Sequence, residues 1–155
     1  MRRAVPIVVY TDGSYRWKLQ CGGWAAVIIH EGEIQEISGA EMHSSNNRME
    51  LMGPIKALQS IAAGANVYVF TDSQYVKKGV SIWMYGWKRR NWLTFEQKPV
   101  LNMDLWQLLD IEQSRHMVSW HWVRGHDGDL YNERCDQLAK EAANAHYQLV
   151  SKKAV

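Results

Sequence analysis

Cysteines, long apolar runs and an excess of one charge are all scarce in this sequence. The chain has only two cysteines, Cys21 and Cys135, far apart and in no metal-ligand spacing, so we expect neither a disulfide framework nor a structural zinc site. No apolar run approaches the roughly 20 residues of a membrane span. The N-terminal residues 1–6 also lack the apolar core of a signal peptide. These absences favour a cytoplasmic protein that does not contact a membrane.

The composition is that of an ordinary soluble domain. Apolar residues make up 46% and charged residues 22% of the 155 residues, which is about the length of one domain. The net charge of +2 is too small to indicate an anionic partner. We find no internal repeat, low-complexity tract or linker. The sequence therefore predicts a single self-contained domain over residues 1–155, with its core in residues 5–147 and a flexible tail in residues 148–155.

Basic and aromatic residues are concentrated in one stretch, residues 77–95. This stretch contains no acidic residue and carries five basic residues, three tryptophans and one tyrosine, namely Lys77, Lys78, Lys88, Arg89, Arg90, Trp83, Trp87, Trp92 and Tyr85. Cations neutralise phosphates and indole rings pack against sugars or bases, so the stretch is a candidate nucleic-acid surface. The alternative is a solvated helix face with its tryptophans in the core. Gly86 indicates a bend between two short helices.

The hydrophobic pattern predicts five strands and several helices. The strands are expected at residues 5–11, 22–30, 34–42, 66–71 and 117–123. The first strand is expected to end in a turn at residues 12–14. Helices are expected after Asn46 or Asn47 as the N-terminal cap, from residue 73, over 104–112 and over 132–147. A three-strand meander followed by helical crossovers predicts an α/β fold. It would have a five-stranded mixed sheet, with two later strands parallel to the first, flanked by helices.

Four acidic residues are expected to meet at one edge of this sheet. Asp12 and Asp72 each follow the same kind of strand ending, whereas Glu50 and Asp136 fall in first helical turns. Taken singly, such residues are usually turn formers or favourable partners of a helix dipole. Together they would repel each other unless a cation neutralised them, and their hard oxygens suit Mg²⁺ or Mn²⁺. Two such ions could clamp the reacting oxygens of a phosphodiester.

A histidine near this edge could complete the chemistry. His126 lies in the glycine-flanked loop of residues 124–128. A mobile imidazole beside bound metal ions could carry protons to and from the reacting groups. The alternative is an exposed loop histidine with no special role.

The same residues form an ordered set of motifs that resembles type 1 ribonuclease H in its bacterial form. The motifs are Thr11-Asp12-Gly13-Ser14, Asn46-Asn47-Arg48-Met49-Glu50-Leu51, Thr71-Asp72-Ser73-Gln74-Tyr75-Val76, Asp104-Leu105-Trp106, and Val123-Arg124-Gly125-His126 with Asn132-Glu133-Arg134-Cys135-Asp136. The resemblance covers residues 5–145. It implies a ribonuclease H-like fold and Mg²⁺-dependent endonucleolytic cleavage of the RNA strand of an RNA–DNA hybrid. The expected products have 3′-hydroxyl and 5′-phosphate ends.

The resemblance also implies roles for individual residues. Asp12, Glu50, Asp72 and Asp136 would bind two Mg²⁺ ions, for which Mn²⁺ could substitute, and His126 would carry protons. Asn46, Asn47 and Gln74 would contact the minor groove and the RNA 2′-hydroxyls, which both donate and accept hydrogen bonds. The segment containing Trp83, Trp87, Lys88, Arg89 and Arg90 would grip the DNA strand. Ser45 would contribute to a pocket for a DNA phosphate.

Three departures from the family pattern are visible in the sequence. Residues 15–21 are basic and aromatic where the family usually has a glycine- and proline-rich loop, so they could alter or add a contact to the hybrid. Gly86 stands where the phosphate pocket often has an asparagine, which could weaken binding of the DNA strand. Asp127 and Asp129 make the loop after His126 acidic, so they could raise the basicity of His126 or attract a further cation.

Other functions remain open on sequence grounds. A nuclease of the same fold could act on DNA, as resolvases and integrases do, because fold alone does not fix the substrate. A hybrid-binding module without activity would be expected to lack at least one acidic residue, and all four are present. The chain could also be the nuclease domain of a reverse transcriptase, although it has the extent expected of a self-contained domain. We expect a monomer, since no apolar stripe is left over for a partner.

Overall fold

The structure, a computed structural model, describes residues 5–125 and 129–153. Its strands are β1 (Ile7–Arg16), β2 (Cys21–His30), β3 (Glu33–Met42), β4 (Asn66–Thr71) and β5 (Met117–Trp122). Its helices are α1 (Asn46–Gln59), α2 (Gln74–Lys78), α3 (Met84–Arg89), α4 (Met103–Ser114) and α5 (Leu130–Lys153). A π-helical segment, Gly79–Trp83, joins α2 to α3. Within the described residues, no helix is both long enough and apolar enough to span a membrane.

The five strands form one mixed sheet in the order β3-β2-β1-β4-β5. The β1–β2 and β2–β3 pairs are antiparallel, and the β1–β4 and β4–β5 pairs are parallel. The predicted meander and the two parallel strands are therefore confirmed. The parallel strands follow from the helical crossovers, because a chain that returns through a helix enters the sheet in the same direction.

The predicted end of the first strand was wrong. Instead of turning at residues 12–14, β1 continues through Asp12 to Arg16, and the turn lies at residues 17–20. The reason is that β1 has two neighbours of different length. Its parallel pairing with β4 stops at Tyr10, opposite Phe70, while its antiparallel pairing with β2 continues to Arg16, opposite Cys21. Asp12 therefore lies inside a strand, just beyond the point where parallel pairing ends.

Helices cover both faces of the sheet, and the alternation of strand side chains divides the core between them. Ala26 and Ile28 of β2 belong to the larger apolar cluster, which includes residues of α1 and α4 such as Leu51 and Trp106. Ala25 and Val27 point to the other face and pack against Cys135 and Ala139 of α5. This two-residue period places α5 opposite α1, with β1 and β2 between them.

Two helix boundaries differ from those predicted. The N-terminal cap of α1 is Ser45, not Asn46 or Asn47, because the Ser45 hydroxyl accepts a hydrogen bond from the backbone N–H of Arg48 at 3.1 Å. No acidic residue lies in the first turn of α1, so Glu50 lies just beyond that turn, one or two positions further from the helix start than predicted. Helix α5 runs from Leu130 to Lys153 rather than over 132–147. Residues 148–153, predicted to be a flexible tail, are therefore helical.

The predicted bend in the basic aromatic segment is displaced. Gly86 lies within α3, and the irregular backbone is the π-helical segment before it. There Gly79 faces the indole of Trp106, so closely that a Cβ on residue 79 would lie 1.9 Å from that ring. The wider π-helical turn falls where the chain crosses this large buried side chain.

Candidate active site

Three elements bring carboxylates to one place. Asp12 lies on β1, Asp72 directly follows β4, and Glu50 lies on α1. The close approach of α1 to β1 depends on Gly13. A Cβ at that position would lie 2.3 Å from the backbone carbon of Met49 and 2.4 Å from the backbone nitrogen of Glu50. Only glycine therefore allows α1 to carry Glu50 against Asp12.

These three side chains form a tight acidic cluster. Each of Asp12, Glu50 and Asp72 offers an oxygen that lies within 4.8 Å of the others. The backbone N–H of Gly13 donates to Asp12 Oδ1 at 2.9 Å. Glu50 Oε2 is buried and has no hydrogen-bond partner among the described residues. No lysine, arginine or histidine of the described chain forms a salt bridge with any of the three. The three carboxyl groups are thus crowded together, and no basic side chain of the described residues is paired with them.

Burial and mutual repulsion change the acidity of two of these groups. Burial, followed by the neighbouring charge of Asp72, raises the pKa of Asp12 to about 8. Burial also raises the pKa of Glu50 well above its ordinary value, and the charges of Asp12 and Asp72 add to this effect. Both shifts mean that negative charge is unfavourable here in the absence of a cation.

The donor set fits a hard divalent cation. Carboxylate oxygens are the preferred ligands of Mg²⁺ and Mn²⁺. The orphaned Glu50 Oε2 and the close spacing of the three groups are the features that a bound cation would satisfy. Asp12, Glu50 and Asp72 are accordingly the residues that could hold such an ion.

The fourth predicted acidic residue, Asp136, is near the cluster but does not belong to it. Its Oδ2 forms a salt bridge with Lys140 Nζ at 3.0 Å, one turn further along α5. Its charge is still close enough to contribute to the raised pKa of Asp12. Of the four predicted carboxylates, the structure brings three together and places the fourth beside them in an ion pair.

His126 and Asp127 lie outside the described residues, but the residue before them is well placed. A Cβ on Gly125 would lie 2.9 Å from Asp72 Oδ2. The chain therefore passes directly beside the acidic cluster as it enters the predicted histidine loop. Asp129, the other acidic residue singled out there, accepts from the backbone N–H groups of Tyr131 and Asn132 through Oδ1. It thereby caps the start of α5.

The predicted polar contacts surround the cluster on two helix N-termini. Asn46 and Asn47 are the first residues of α1 and are exposed, and Gln74 is the exposed first residue of α2. Asn46 Oδ1 accepts from the backbone N–H of Tyr15 at 2.8 Å, so its amide NH₂ is the end left to donate. Ser45 uses its hydroxyl as the helix cap.

The tryptophans of the basic segment are less available than the sequence suggested. Trp83, Trp87 and Trp92 are half-buried and form a chain of ring contacts, in which Trp87 packs on Trp106 with centroids 5.3 Å apart. Much of their indole surface is therefore buried in the core, as the alternative interpretation of this segment predicted. The segment's cations lie outside, where the Lys88 ammonium pairs with Asp110 at 3.2 Å.

Arg90 occupies the space that Gly86 leaves open. Its guanidinium stacks over Phe95, with its carbon 4.1 Å from the ring centroid, and Nε donates to the carbonyl of Leu93. A Cβ at Gly86 would lie 2.9 Å from Arg90 Nη1. Together with Trp83, Trp87 and Phe95, Arg90 lines an open cavity of about 540 Å³.

Sequence reasoning missed one residue beside the cluster. The indole Nε1–H of Trp122 donates to the backbone carbonyl of Asp72 at 3.3 Å, and the Lys77 ammonium lies 5.6 Å from the centre of its ring. Its place in the sheet could have indicated that Trp122 lies beside the cluster, because it ends β5 opposite Thr71, the residue before Asp72.

A five-stranded mixed sheet with an acidic cluster beside its central strand defines the ribonuclease H-like class of α/β proteins. The profile of the RNase H family matches residues 4–144. A ribonuclease H from Cupriavidus metallidurans is 49% identical over 133 residues, covering 86% of this chain and 92% of the relative. One from Rhodopseudomonas palustris is 45% identical over 141 residues, covering 91% and 94%. The chain therefore belongs to the ribonuclease H family.

Solved structures agree with this assignment. The crystal structure of LC9-RNase H1, described as a type 1 RNase H with the type 2 active-site motif, has a TM-score of 0.81 and 29% identity, and the match covers 94% of this chain and 75% of that one. The predicted resemblance to type 1 ribonuclease H is thereby confirmed. A foamy viral protease-reverse transcriptase in complex with RNA/DNA hybrid has a TM-score of 0.76 at 17% identity, covering 92% and 21%, which shows the shared fold alone.

Proposed function

We propose that this protein is an endoribonuclease that hydrolyses the RNA strand of RNA–DNA hybrids with divalent metal ions. The observation that carries the proposal is the cluster of Asp12, Glu50 and Asp72, each of which offers an oxygen within 4.8 Å of the others. Membership of the ribonuclease H family supports the hybrid as substrate. An alternative DNA nuclease of the same fold has no comparable support.

The acidic residues would hold the metal. Asp12, Glu50 and Asp72 supply the shared oxygens, and Asp136 joins them once Lys140 yields its ion pair. When bound, two Mg²⁺ ions would activate a water for attack on the phosphodiester and stabilise the leaving oxygen, giving 3′-hydroxyl and 5′-phosphate ends. Mn²⁺ would serve as a substitute, because it prefers the same oxygen ligands.

The amide side chains would recognise the RNA. Asn46, Asn47 and Gln74 are exposed at helix N-termini next to the cluster. A 2′-hydroxyl donates and accepts, and so does an amide, so these residues suit the group that distinguishes RNA from DNA. The hydrogen bond from Tyr15 fixes the orientation of Asn46 before the substrate arrives.

The basic aromatic segment would bind the DNA strand. Lys88, Arg89 and Arg90 supply charge for its phosphates, while Trp83 and Trp87 offer only the parts of their rings that the core leaves exposed. We assign to Arg90 the contact that Gly86 lacks, because its guanidinium fills the space above that glycine. Ser45 would contribute its backbone and the remaining lone pair of its capping hydroxyl.

His126 would carry protons between the reacting groups and solvent. The support is the position of Gly125, which passes beside Asp72 immediately before His126. An imidazole titrates near neutral pH, so it can both accept and release a proton there.

We further propose a single-domain, monomeric protein that acts in the cytoplasm. The support is that helices of the same chain pack on both faces of the sheet, with α1 and α4 in the larger apolar cluster and α5 in the smaller one. Size-exclusion chromatography with light scattering tests the oligomeric state.

The experiment that tests the activity uses an RNA–DNA hybrid labelled on either strand, incubated with and without Mg²⁺. Single-stranded RNA, RNA duplex and DNA duplex run alongside, and Asp12→Asn is the control. We expect metal-dependent cutting of the RNA strand of the hybrid alone, lost in the variant. Tight hybrid binding without cutting would instead establish a binding module, and cutting of DNA duplex would establish a DNA nuclease.

A further inference from the structure

One surface next to the proposed site has no role in the mechanism above: the tip of the β1–β2 hairpin, residues 16–20. Trp17 at this tip is 76% exposed, an unusual state for so large an apolar side chain. Its indole meets the ring of Tyr15 edge to face, with centroids 5.2 Å apart and planes at 85°. This contact supports one side of the indole and leaves the rest in solvent.

The tip is held rigidly in this form. Gln20 Nε2 donates to the carbonyl of Trp17 at 2.9 Å, and the Tyr15 hydroxyl donates to Gln20 Oε1 at 3.2 Å. The backbone N–H of His43 donates to the carbonyl of Gln20 at 2.8 Å, which ties the tip to the end of β3. Because these bonds fix the turn, the indole is presented to solvent in advance and loses little conformational entropy on binding.

The tip is continuous with the residues proposed to contact RNA. Tyr15 and Trp17 form one wall of an open groove of about 460 Å³, and residues 44–47 form the other. Asn46 and Asn47 therefore lie in the same groove as the exposed indole. A strand that follows these amides away from the acidic cluster would reach Trp17.

The charge of the tip suits a nucleic acid. Arg16 and Lys18 flank the indole, and residues 14–20 contain no acidic residue. Within the part of the chain that the structure describes, neither cation has a carboxylate within 4.0 Å, whereas Arg48 nearby is held by both Glu41 and Asp104. Unpaired cations beside an exposed aromatic ring are the elements of single-strand recognition, in which bases stack and phosphates are neutralised.

We propose that the hairpin tip binds an unpaired nucleotide of the RNA strand that flanks the hybrid, with its base stacked on Trp17 and its phosphates near Arg16 and Lys18. An unpaired nucleotide is favoured over a paired one because a base within a duplex is already stacked on both faces, whereas a flanking base offers a free face to the indole. The proposal rests on the proposed function. It extends that function to a substrate class, hybrids with a single-stranded RNA extension.

The test compares the binding of two hybrids of equal paired length, one blunt and one with a four-nucleotide RNA extension, placed at either end in turn. Fluorescence anisotropy gives the Kd in the inactive Asp12→Asn background, so that no substrate is cut. We expect the extension at one end to tighten binding about tenfold, the size of one stacked base. In the double variant Asp12→Asn/Trp17→Ala, the ratio of the Kd of the blunt hybrid to that of the extended hybrid should fall to about one.

Three further variants make the test specific. Trp17→Phe keeps an aromatic face and should retain most of the gain from the extension. Ile34→Ala removes an apolar side chain that is 55% exposed at the far end of the same meander, and should retain all of it. Arg16→Gln with Lys18→Gln should reduce the salt dependence of binding to the extended hybrid more than to the blunt one.

The outcomes separate this inference from the proposed function. An extension that gives no gain at either end, or a gain that survives Trp17→Ala, would overturn the proposal. So would equal weakening of blunt and extended hybrids by Trp17→Ala, which would place Trp17 against the paired region. Failure of the protein with Asp12 intact to cut any hybrid would refute the proposed function, while the gain from the extension would still be measured by binding alone.

Discussion

At the scale of single residues, the site depends on two positions where a side chain is missing. Gly13 lets α1 approach β1 until Glu50 meets Asp12, and the lack of a side chain on Gly125 lets the backbone of that residue lie beside Asp72. The carboxylates that this packing brings together repel one another, and burial prevents water from screening that repulsion. In the absence of metal, the site therefore opposes folding, and this has measurable consequences.

We expect Asp12→Asn to stabilise the metal-free protein above neutral pH. The pKa of Asp12 is raised to about 8 in the folded state, so the folded protein holds this proton more tightly than the unfolded chain does. The resulting loss of stability is absent below about pH 4 and grows as the pH rises towards 8. Asparagine cannot ionise, so the variant should gain several kcal/mol in the free energy of unfolding at pH 8, about 1.4 kcal/mol for each unit by which folding raises the pKa.

Urea unfolding in EDTA at pH 4 and pH 8 measures this effect. Asp104→Asn is the control of opposite sign, because Arg48 lowers the pKa of Asp104. Asp104→Asn should lower the free energy of unfolding at neutral pH, and it should lower it less at acid pH. A stability difference between Asp12→Asn and the unsubstituted protein that does not change with pH would contradict the account of the cluster.

We expect Gly125→Ala to weaken metal-dependent activity while the protein stays folded. The added methyl carbon would lie 2.9 Å from Asp72 Oδ2, so either the carboxylate or the loop must move. The Mg²⁺ concentration for half-maximal cleavage should rise, and kcat should fall about tenfold or more, since small displacements of positioned groups are costly to catalysis. Gly86→Ala adds the same methyl against the flexible end of Arg90 and should leave the Mg²⁺ requirement unchanged. An unaltered Mg²⁺ requirement in Gly125→Ala would show that the loop does not constrain Asp72.

At the scale of elements, the sequence predicted which helices and strands exist better than it predicted where they end. The alternation of Ala25 to Ile28 and the apolar stripe of α5 follow from the periods of strands and helices, so these elements could be found. The end of β1 could not, because it depends on β2 remaining paired as far as Arg16 after β4 has ended. The acidic cluster was predictable because Asp12 and Asp72 follow similar strand sequences and because Asp12, Glu50 and Asp72 all lie in recognisable motifs.

The sequence could not show which side chains near the site are already engaged by other parts of the protein. Ser45 and Asn46 are predicted substrate contacts, and the structure shows that Ser45 also caps α1 and that Asn46 Oδ1 also accepts from the hairpin. The sequence left open whether the tryptophans of the basic segment are exposed or in the core, and the contact that decides for Trp87 comes from Trp106, 19 positions away in sequence. Such contacts depend on tertiary packing, which no local pattern encodes.

We expect Ser45→Ala to destabilise the protein by about 1 kcal/mol, the usual effect of removing an N-terminal cap. Ser45→Thr keeps the hydroxyl and should retain most of the stability. Ser114→Ala, which removes an exposed hydroxyl near the end of α4, should change stability by less than about 0.5 kcal/mol. Urea unfolding at pH 7 gives all three values. If Ser45→Ala lost hybrid affinity with no loss of stability, the hydroxyl would act on substrate and not on the helix.

At the scale of the whole molecule, the distribution of charge matters more than its sum. The net charge is only +2, but an acidic cluster lies beside the central strand and cations lie on two separate surfaces. One surface is the helical segment with Lys88, Arg89 and Arg90, and the other is the hairpin tip with Arg16 and Lys18. A duplex seated on the amides of Asn46, Asn47 and Gln74 would place its cleavable phosphate at the acidic cluster and the phosphates of its DNA strand near the helical segment, while an unpaired RNA nucleotide beyond the duplex would reach the hairpin tip. A metal cation is then needed at the cleavage site, because the substrate phosphate and the acidic cluster are both negatively charged there.

This arrangement predicts a strong and divisible salt dependence of hybrid binding. Each phosphate contact contributes a slope of about −0.9 to a plot of log affinity against log salt concentration. Removing two contacts with Arg89→Gln and Arg90→Gln should therefore make the slope shallower by about 1 to 2. Anisotropy titrations from low to moderate KCl, in the Asp12→Asn background, measure it. Arg115→Gln, which removes a cation paired with Glu112 at the end of α4, should leave the slope unchanged. An equal slope in all of these proteins would mean that the DNA strand does not lie against α3.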